Sequence, residues 1–171
     1  SDIVRFDAAS LGANTAGTFS LYFDGSAVGL TTSGEDIDSL SRLSDGRLLI
    51  STLAAYSVLG ASGRGDDILA FTPTALGSST NGTWALHFDG SDVGITPRSN
   101  IDGAGLKGST LYLTTANAIS RDGLSAADED VFVCDSAVFG SHSQCSFAPL
   151  LYFDGSVWGL GGDDVDAIHV P

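Results

Sequence analysis

One four-residue motif, Phe-Asp-Gly-Ser, occurs three times in this chain at a constant interval of 65 residues. It stands at Phe23–Ser26, Phe88–Ser91 and Phe153–Ser156, within the related phrases SLYFDGSAVGL, ALHFDGSDVGI and LLYFDGSVWGL. A fixed period of this length is the signature of a fold that repeats one supersecondary unit. The 171 residues are therefore predicted to form a single domain of repeated units.

The similarity extends well beyond the motif on both sides. Upstream, DIVRFDAASLG from Asp2 matches DILAFTPTALG from Asp67 and DVFVCDSAVFG from Asp130, with two extra residues assigned to a cysteine loop in the third copy. Downstream, EDIDSLSRLSDGRLLIST matches NIDGAGLKGSTLYLTT and the shorter DDVDAIHVP. These matches divide the chain into a partial repeat at 1–34, repeats at 35–99 and 100–162, and a final partial strand at 163–171.

Each repeat contains four short runs of β-branched, aliphatic or aromatic residues. We name them strand a (Ile37–Leu43), strand b (Arg47–Thr52), strand c (Ile68–Phe71) and strand d (Thr83–Phe88). Asp-Gly, Pro and Gly-Ser signals bound them, and no long window has a helical period. We expect an all-β fold with little or no helix, a hairpin turn between strands a and b at Ser44–Arg47, and a loop at Gly60–Gly65.

This pattern resembles the blades of NHL-type β-propellers. More specifically, it is similar to a repeat of predicted secreted, multidomain bacterial proteins with the pattern DGRLLxST, DEDLLxFTPxxLG and GTWxLYFDGSDVGL. The resemblance implies three propeller-like, four-stranded repeats, the third of which is completed by the N-terminal strands. It implies no biochemical activity.

The strands are one short of three complete units, because the last copy stops after strand a. An incomplete unit leaves an open sheet edge, which invites a further strand. Two solutions are open. The N-terminal DIVRF could pair with VDAIHV inside one chain, or the C-terminal strand of one subunit could pair with the N-terminal strands of the next. The second solution gives a ring or a filament.

Charge and cysteine content restrict the setting and the partners. A net charge of −14 argues against nucleic acid and anionic membranes as partners, and no apolar run is long enough for membrane insertion. The absence of Met suggests a processed chain, so we expect a secreted or cell-surface location. There, Cys134 and Cys145 would form a disulfide, although two buried thiols are the alternative.

Acidic residues recur in register after strand d and at the start of strand a. Asp and Gly loops supply the hard oxygen ligands that calcium prefers, so one structural calcium per unit is an expectation. The alternative is that these side chains satisfy turn amides. The candidate ligands are Asp24, Asp36, Asp38, Asp89, Asn100, Asp102, Asp154, Asp164 and Asp166.

No catalytic constellation is visible, so we predict that the chain is not an enzyme. The three histidines are scattered, and His87 occupies a repeat position that elsewhere holds Tyr, which indicates packing. Trp84 aligns with Phe19 and is expected in the core, whereas Trp158 is a candidate exposed platform for sugar rings. Asn81 begins an N-glycosylation sequon.

These features predict a non-enzymatic extracellular structural or adhesive module. Its expected partners are other copies of itself or other extracellular surface components. Two alternatives stay open: a carbohydrate-binding module that uses Trp158, and a secreted calcium-containing hydrolase or lyase of propeller type.

Overall fold

A computed structural model describes all residues from 1 to 171 and confirms the all-β prediction. Every strand pairing in the named sheets is antiparallel, and the helical content is limited to four short 3-10 turns. The strands are β1 Ile3–Ser10, β2 Ala16–Phe23, β3 Ile37–Arg42, β4 Leu48–Thr52, β5 Tyr56–Val58, β6 Ala61–Gly63, β7 Ile68–Ala75, β8 Asn81–Phe88, β9 Ile101–Lys107, β10 Thr110–Thr115, β11 Ile119–Arg121, β12 Leu124–Ala126, β13 Phe132–Val138 and β14 Gln144–Phe147. The 3-10 turns are Ser26–Val28, Ser33–Glu35, Ser91–Val93 and Gly155–Trp158.

Two four-stranded sheets carry the same strand order. The first runs β3-β4-β7-β8 and the second β9-β10-β13-β14, which is the order a-b-c-d in both. The hairpin β1–β2 is a c–d pair without its a–b partner. Two further small hairpins, β5–β6 and β11–β12, follow the b strands, so the prediction of a loop at Gly60–Gly65 was wrong: Ala61–Gly63 is a strand.

The a–b hairpin of the first sheet forms for a local reason. Gly46 adopts a φ of +91°, which favours Gly, and Leu43 N–H donates to Arg47 O across the turn. The following strand β4 is completely buried, because it lies between β3 and β7 in the middle of its sheet. Its pairing of Leu48 with Phe71 fixes the register.

Two hydrophobic cores hold the sheets together. The larger lies between the two four-stranded sheets and includes Phe88, Ile101 and Phe132. The smaller lies between the β1–β2 hairpin and the first sheet, where Phe23 packs edge-on against Phe71 and Trp84. Burying each such side chain contributes about 1.5–3 kcal/mol. The prediction that Trp84 is a core residue is confirmed, and its Nε1–H donates to Val28 O at 2.9 Å.

The sheets do not close into a propeller ring. The segment Asp163–Pro171, predicted as a final strand a, contains no strand in the structure. It lies beside β9, where a Cβ on Gly105 would come within 2.7 Å of Val170 Cγ2. A strand needs a ladder partner, and the neighbouring strand β9 pairs with β10 but forms no ladder with this segment. The β1–β2 hairpin also forms no ladder with it, so the expected completion of the third repeat within the chain is not observed.

The third repeat also differs from the prediction in where it gains its two extra residues. Phe147 pairs with Cys134 as Trp84 pairs with Phe71. β14 then ends, and the chain rejoins β13 only through a bridge between Phe153 and Val131. The insertion therefore follows β14 and does not enlarge the cysteine loop.

No helix in the structure has the length and apolar character that a membrane crossing would need.

Candidate functional site

The Asp of each Phe-Asp-Gly-Ser motif holds its own turn together. Asp24 Oδ1 accepts hydrogen bonds from Ser26 Oγ at 2.7 Å and Ala27 N at 3.1 Å. Asp89 Oδ1 accepts hydrogen bonds from Ser91 Oγ and Ser91 N, and Asp154 Oδ1 accepts them from Ser156 Oγ and Val157 N. One oxygen of each of these three candidate calcium ligands is thus engaged by its own turn, as the turn-amide alternative describes.

The Gly of each motif is fixed by an Asp that the metal prediction did not include. The N–H groups of Gly25, Gly90 and Gly155 donate to Oδ1 of Asp2, Asp67 and Asp130 respectively. Each of these hydrogen bonds joins the Asp that precedes strand c to the Gly that follows strand d of the same hairpin. The repeated Asp that opens every strand c was the sequence signal for this role.

The first two motifs also bind the turn of the following c–d hairpin, and we call this arrangement the linking contact. In its first copy, Asp24 N–H donates to Thr80 Oγ1 at 3.0 Å. Gly77 N–H donates to Tyr22 O at 2.8 Å, and Leu76 packs against the smaller core beside Tyr22. Thr80 was not identified from the sequence, although Thr or Ser stands at that position in all three turns.

The second linking contact repeats the first at the next hairpin. Asp89 N–H donates to Ser143 Oγ at 2.8 Å, and Gly140 N–H donates to His87 O at 2.7 Å. Phe139 stacks on the His87 ring with a centroid separation of 4.3 Å. The same backbone and side-chain groups thus join consecutive c–d hairpins twice.

Both halves of a third linking contact are present but do not meet. At the third Phe-Asp-Gly-Ser motif, Tyr152 O and Asp154 N–H make no hydrogen bond, and the Tyr152 side chain is 66% exposed. In the β1–β2 turn, Thr15 Oγ1 donates to Gly12 O as Thr80 donates to Gly77 O. Leu11, the counterpart of Leu76, is nevertheless 78% exposed.

The β1–β2 hairpin has a second open surface, since β1 pairs with no strand other than β2. Val4 is 58% exposed and Phe19 is 75% exposed, while their counterparts Leu69 and Trp84 are buried in the first four-stranded sheet. A mainly apolar cavity of about 570 Å³ lies between β1 and the first four-stranded sheet. Its apolar lining is Ile3, Val4, Tyr22, Leu40, Leu48 and Leu76.

The acidic residues at the start of the a strands gather between the sheets. Asn100 Nδ2 donates to Asp38 Oδ2, and Thr114 Oγ1 donates to Asp102 Oδ1 at 2.6 Å. Burial raises the pKa of Asp102 to about 7, and the charges of Asp164 and Asp38 act in the same direction. Burial also raises the pKa of Asp38, to which the charge of Asp166 contributes.

The predicted calcium ligands therefore fall into separate groups. The three motif Asp residues accept hydrogen bonds within their own turns. Asp36 forms an ion pair with the Ser1 amino group at 2.9 Å. Asp38, Asn100, Asp102, Asp164 and Asp166 lie near one another. No group of three His, Cys, Asp or Glu side chains is arranged to hold a metal ion. The geometry thus gives no support to one calcium per repeat.

The predicted disulfide is confirmed, and the repeats explain its position. Cys134 and Cys145 are bonded with a Cα–Cα distance of 5.4 Å. They occupy the positions of Phe71 and Gly82, where the Phe ring covers a Gly so closely that a Cβ would lie 2.6 Å from Phe71 Cζ. The disulfide thus replaces a Phe–Gly contact on the same strand pair.

The remaining candidates are separate from these contacts. His87 is buried, and this burial lowers its pKa to about 4. Trp158 lies in a 3-10 turn and is 74% exposed, so it can serve as a surface platform. Asn81 is exposed at the start of β8, where a glycan could be attached.

No protein-family model, curated protein or solved structure matches this chain.

Proposed function

We propose that this chain is a non-enzymatic extracellular structural module of propeller-like repeats that associates head to tail with further copies of itself. The observation that supports the proposal is the linking contact, which the chain makes twice internally and leaves half-made at both ends. The β1–β2 turn offers one half, and Tyr152–Asp154 offers the other.

The two free halves are complementary in hydrogen bonding. Gly12 N–H would donate to Tyr152 O, and Asp154 N–H would donate to Thr15 Oγ1, as in the two internal contacts. Leu11 would pack on the Tyr152 ring, as Phe139 packs on His87. The association buries exposed apolar surface and gives hydrogen-bond partners to three backbone groups, and both effects favour it.

Such an interface joins two different surfaces, so each copy can bind one neighbour at each end. The product is a ring where the rotation closes and a filament where it does not. Open sheet edges such as that of β1 offer a place for additional strand pairing along the assembly. The disulfide is compatible with an oxidising, extracellular setting.

The first experiment measures the mass distribution of the purified chain by sedimentation velocity over a range of concentrations. We expect oligomers that grow with concentration. Leu11→Ser removes the apolar contact at one end, and Tyr152→Ser removes it at the other. Each variant alone should be monomeric.

A mixture of the two variants provides the decisive test. Each variant keeps one intact half, so an equimolar mixture should form heterodimers and nothing larger. Leu59→Ser is the matched control, because Leu59 is an exposed leucine outside the linking contacts. A wild-type chain that stays monomeric, or variants that still form long oligomers, would contradict the proposal.

Trp158 supports a second candidate function, carbohydrate binding. A Trp that is 74% exposed on a turn can stack on a sugar ring. Glycan-array binding that Trp158→Ala abolishes would favour this function, provided that the variant sediments as the wild type does. The other alternative, a secreted hydrolase or lyase, needs one asymmetric acid–base pair, whereas most acids of this chain occupy repeated positions.

A further inference from the structure

Two junctions between successive a segments occupy equivalent positions in the repeats. The first junction is the pair Asp38 and Asn100, and the second junction is the pair Asp102 and Asp164. At the first junction, the Asn100 amide donates a hydrogen bond to Asp38 Oδ2. A neutral donor thus meets a carboxylate oxygen and satisfies it.

The second junction replaces that donor with a carboxylate. An ionised Asp accepts hydrogen bonds and donates none, so Asp164 cannot act as Asn100 does. Asp102 is only 3% exposed, and its Oδ1 is occupied by Thr114. Its Oδ2 is buried and has no hydrogen-bond partner. A buried carboxylate oxygen without a partner is strongly unfavourable.

The residues around Asp164 add negative charge, and no ion pair neutralises it. Asp128, Asp166 and Asp38 all act on Asp164 electrostatically. The backbone holds Asp164 in this place, because Val165 N–H next to it donates to Asp128 O at 3.1 Å. The three ion pairs of the chain involve Asp36, Asp7 and Asp45, so none lies at this junction.

We propose that a divalent cation binds between Asp102 and Asp164, where it takes the place that the Asn100 amide has at the first junction. Hard carboxylate oxygens select calcium or magnesium, and calcium tolerates the irregular geometry and the water ligands that two carboxylates leave room for. This is one site per chain, in contrast to the one per repeat that the sequence predicts.

We expect this site to be accessible from solvent and to bind its cation with low affinity. Asp164 is exposed, so the ion can enter from solvent. With two protein carboxylates as its principal ligands, its dissociation constant should fall at roughly 0.1 to 1 mM, the range of extracellular calcium modules. Binding would also tie the segment Asp163–Pro171, which has no ladder of its own, to β9.

The experiment is a melting-temperature and isothermal-calorimetry titration with CaCl2, with NaCl at matched ionic strength as the reference. We expect the melting temperature of the wild type to rise steadily with calcium once the dissociation constant is exceeded. Asp164→Asn restores the residue of the first junction. It should lose this response and should melt higher than the wild type in calcium-free buffer.

Two further variants make the test specific. Asn100→Asp converts the first junction into a copy of the second, so it should melt lower without calcium and show a larger calcium response. Asp163→Asn removes one charge from the neighbouring exposed residue and should behave as the wild type. The proposal is overturned if calcium leaves the wild-type melting temperature and heats unchanged, or if Asp164→Asn keeps the response.

Discussion

His87 illustrates how the surroundings of one repeat position can differ between copies. Tyr22 and Tyr152 occupy the same position, and His87 is the only one of the three whose ring is buried, beneath Phe139. Its Nε2 has no hydrogen-bond partner, and burial lowers its pKa to about 4 from an ordinary value of 6.5. The folded chain therefore resists protonating a group that the unfolded chain protonates readily.

We expect this residue to make the chain less stable in acid. Its stabilising contribution is complete above pH 6.5 and is lost as the pH falls to about 4, by up to about 3 kcal/mol. His87→Tyr, which installs the residue of the other repeats, should remove this part of the pH dependence. The measurement is the difference in unfolding free energy between the two proteins across this range. A difference that does not change with pH would contradict the assignment.

At the scale of elements, the disulfide does in the third c–d hairpin what a Phe over a Gly does in the first two. Reducing it, or replacing Cys134 and Cys145 by Ser, should cost about 2–3 kcal/mol, since the cross-link restricts the unfolded chain. The double variant Cys134→Phe with Cys145→Gly should recover part of this loss, because it restores the packing of Phe71 on Gly82.

Urea denaturation with and without reductant measures these effects. The Phe–Gly variant serves as its own control, since reductant should not change its midpoint. If it is no more stable than the double Ser variant, the equivalence of the two contacts is wrong.

At the scale of the whole molecule, charge opposes the proposed assembly. Each copy carries a net charge of −14, so copies repel one another, while the linking contact consists of backbone hydrogen bonds and apolar packing. Salt shortens the Debye length from about 10 Å at 0.1 M to about 3 Å at 1 M. Assembly should therefore increase with NaCl in sedimentation experiments. Dissociation by salt would mean that ion pairs hold the copies together.

Sequence alone determined the all-β class, the hairpin turn between strands a and b, the core position of Trp84 and the disulfide. These depend on patterns that the sequence displays directly: short apolar runs, Asp-Gly turns and the spacing of equivalent residues. The strands β5 and β6 escaped prediction because Gly and Ser, which are common in loops, compose half of Tyr56–Gly63.

Only the tertiary structure decided how the incomplete units are arranged. Residues 163–171 have the same pattern as β3 and β9, yet they form no strand, because neither the β1–β2 hairpin nor any other strand forms a ladder with them. The tertiary structure also decided how Asp38 and Asp102, which occupy the same repeat position, differ. Asp38 accepts a hydrogen bond from Asn100, whereas Asp102 has Asp164 in the equivalent place and its Oδ2 is buried without a partner.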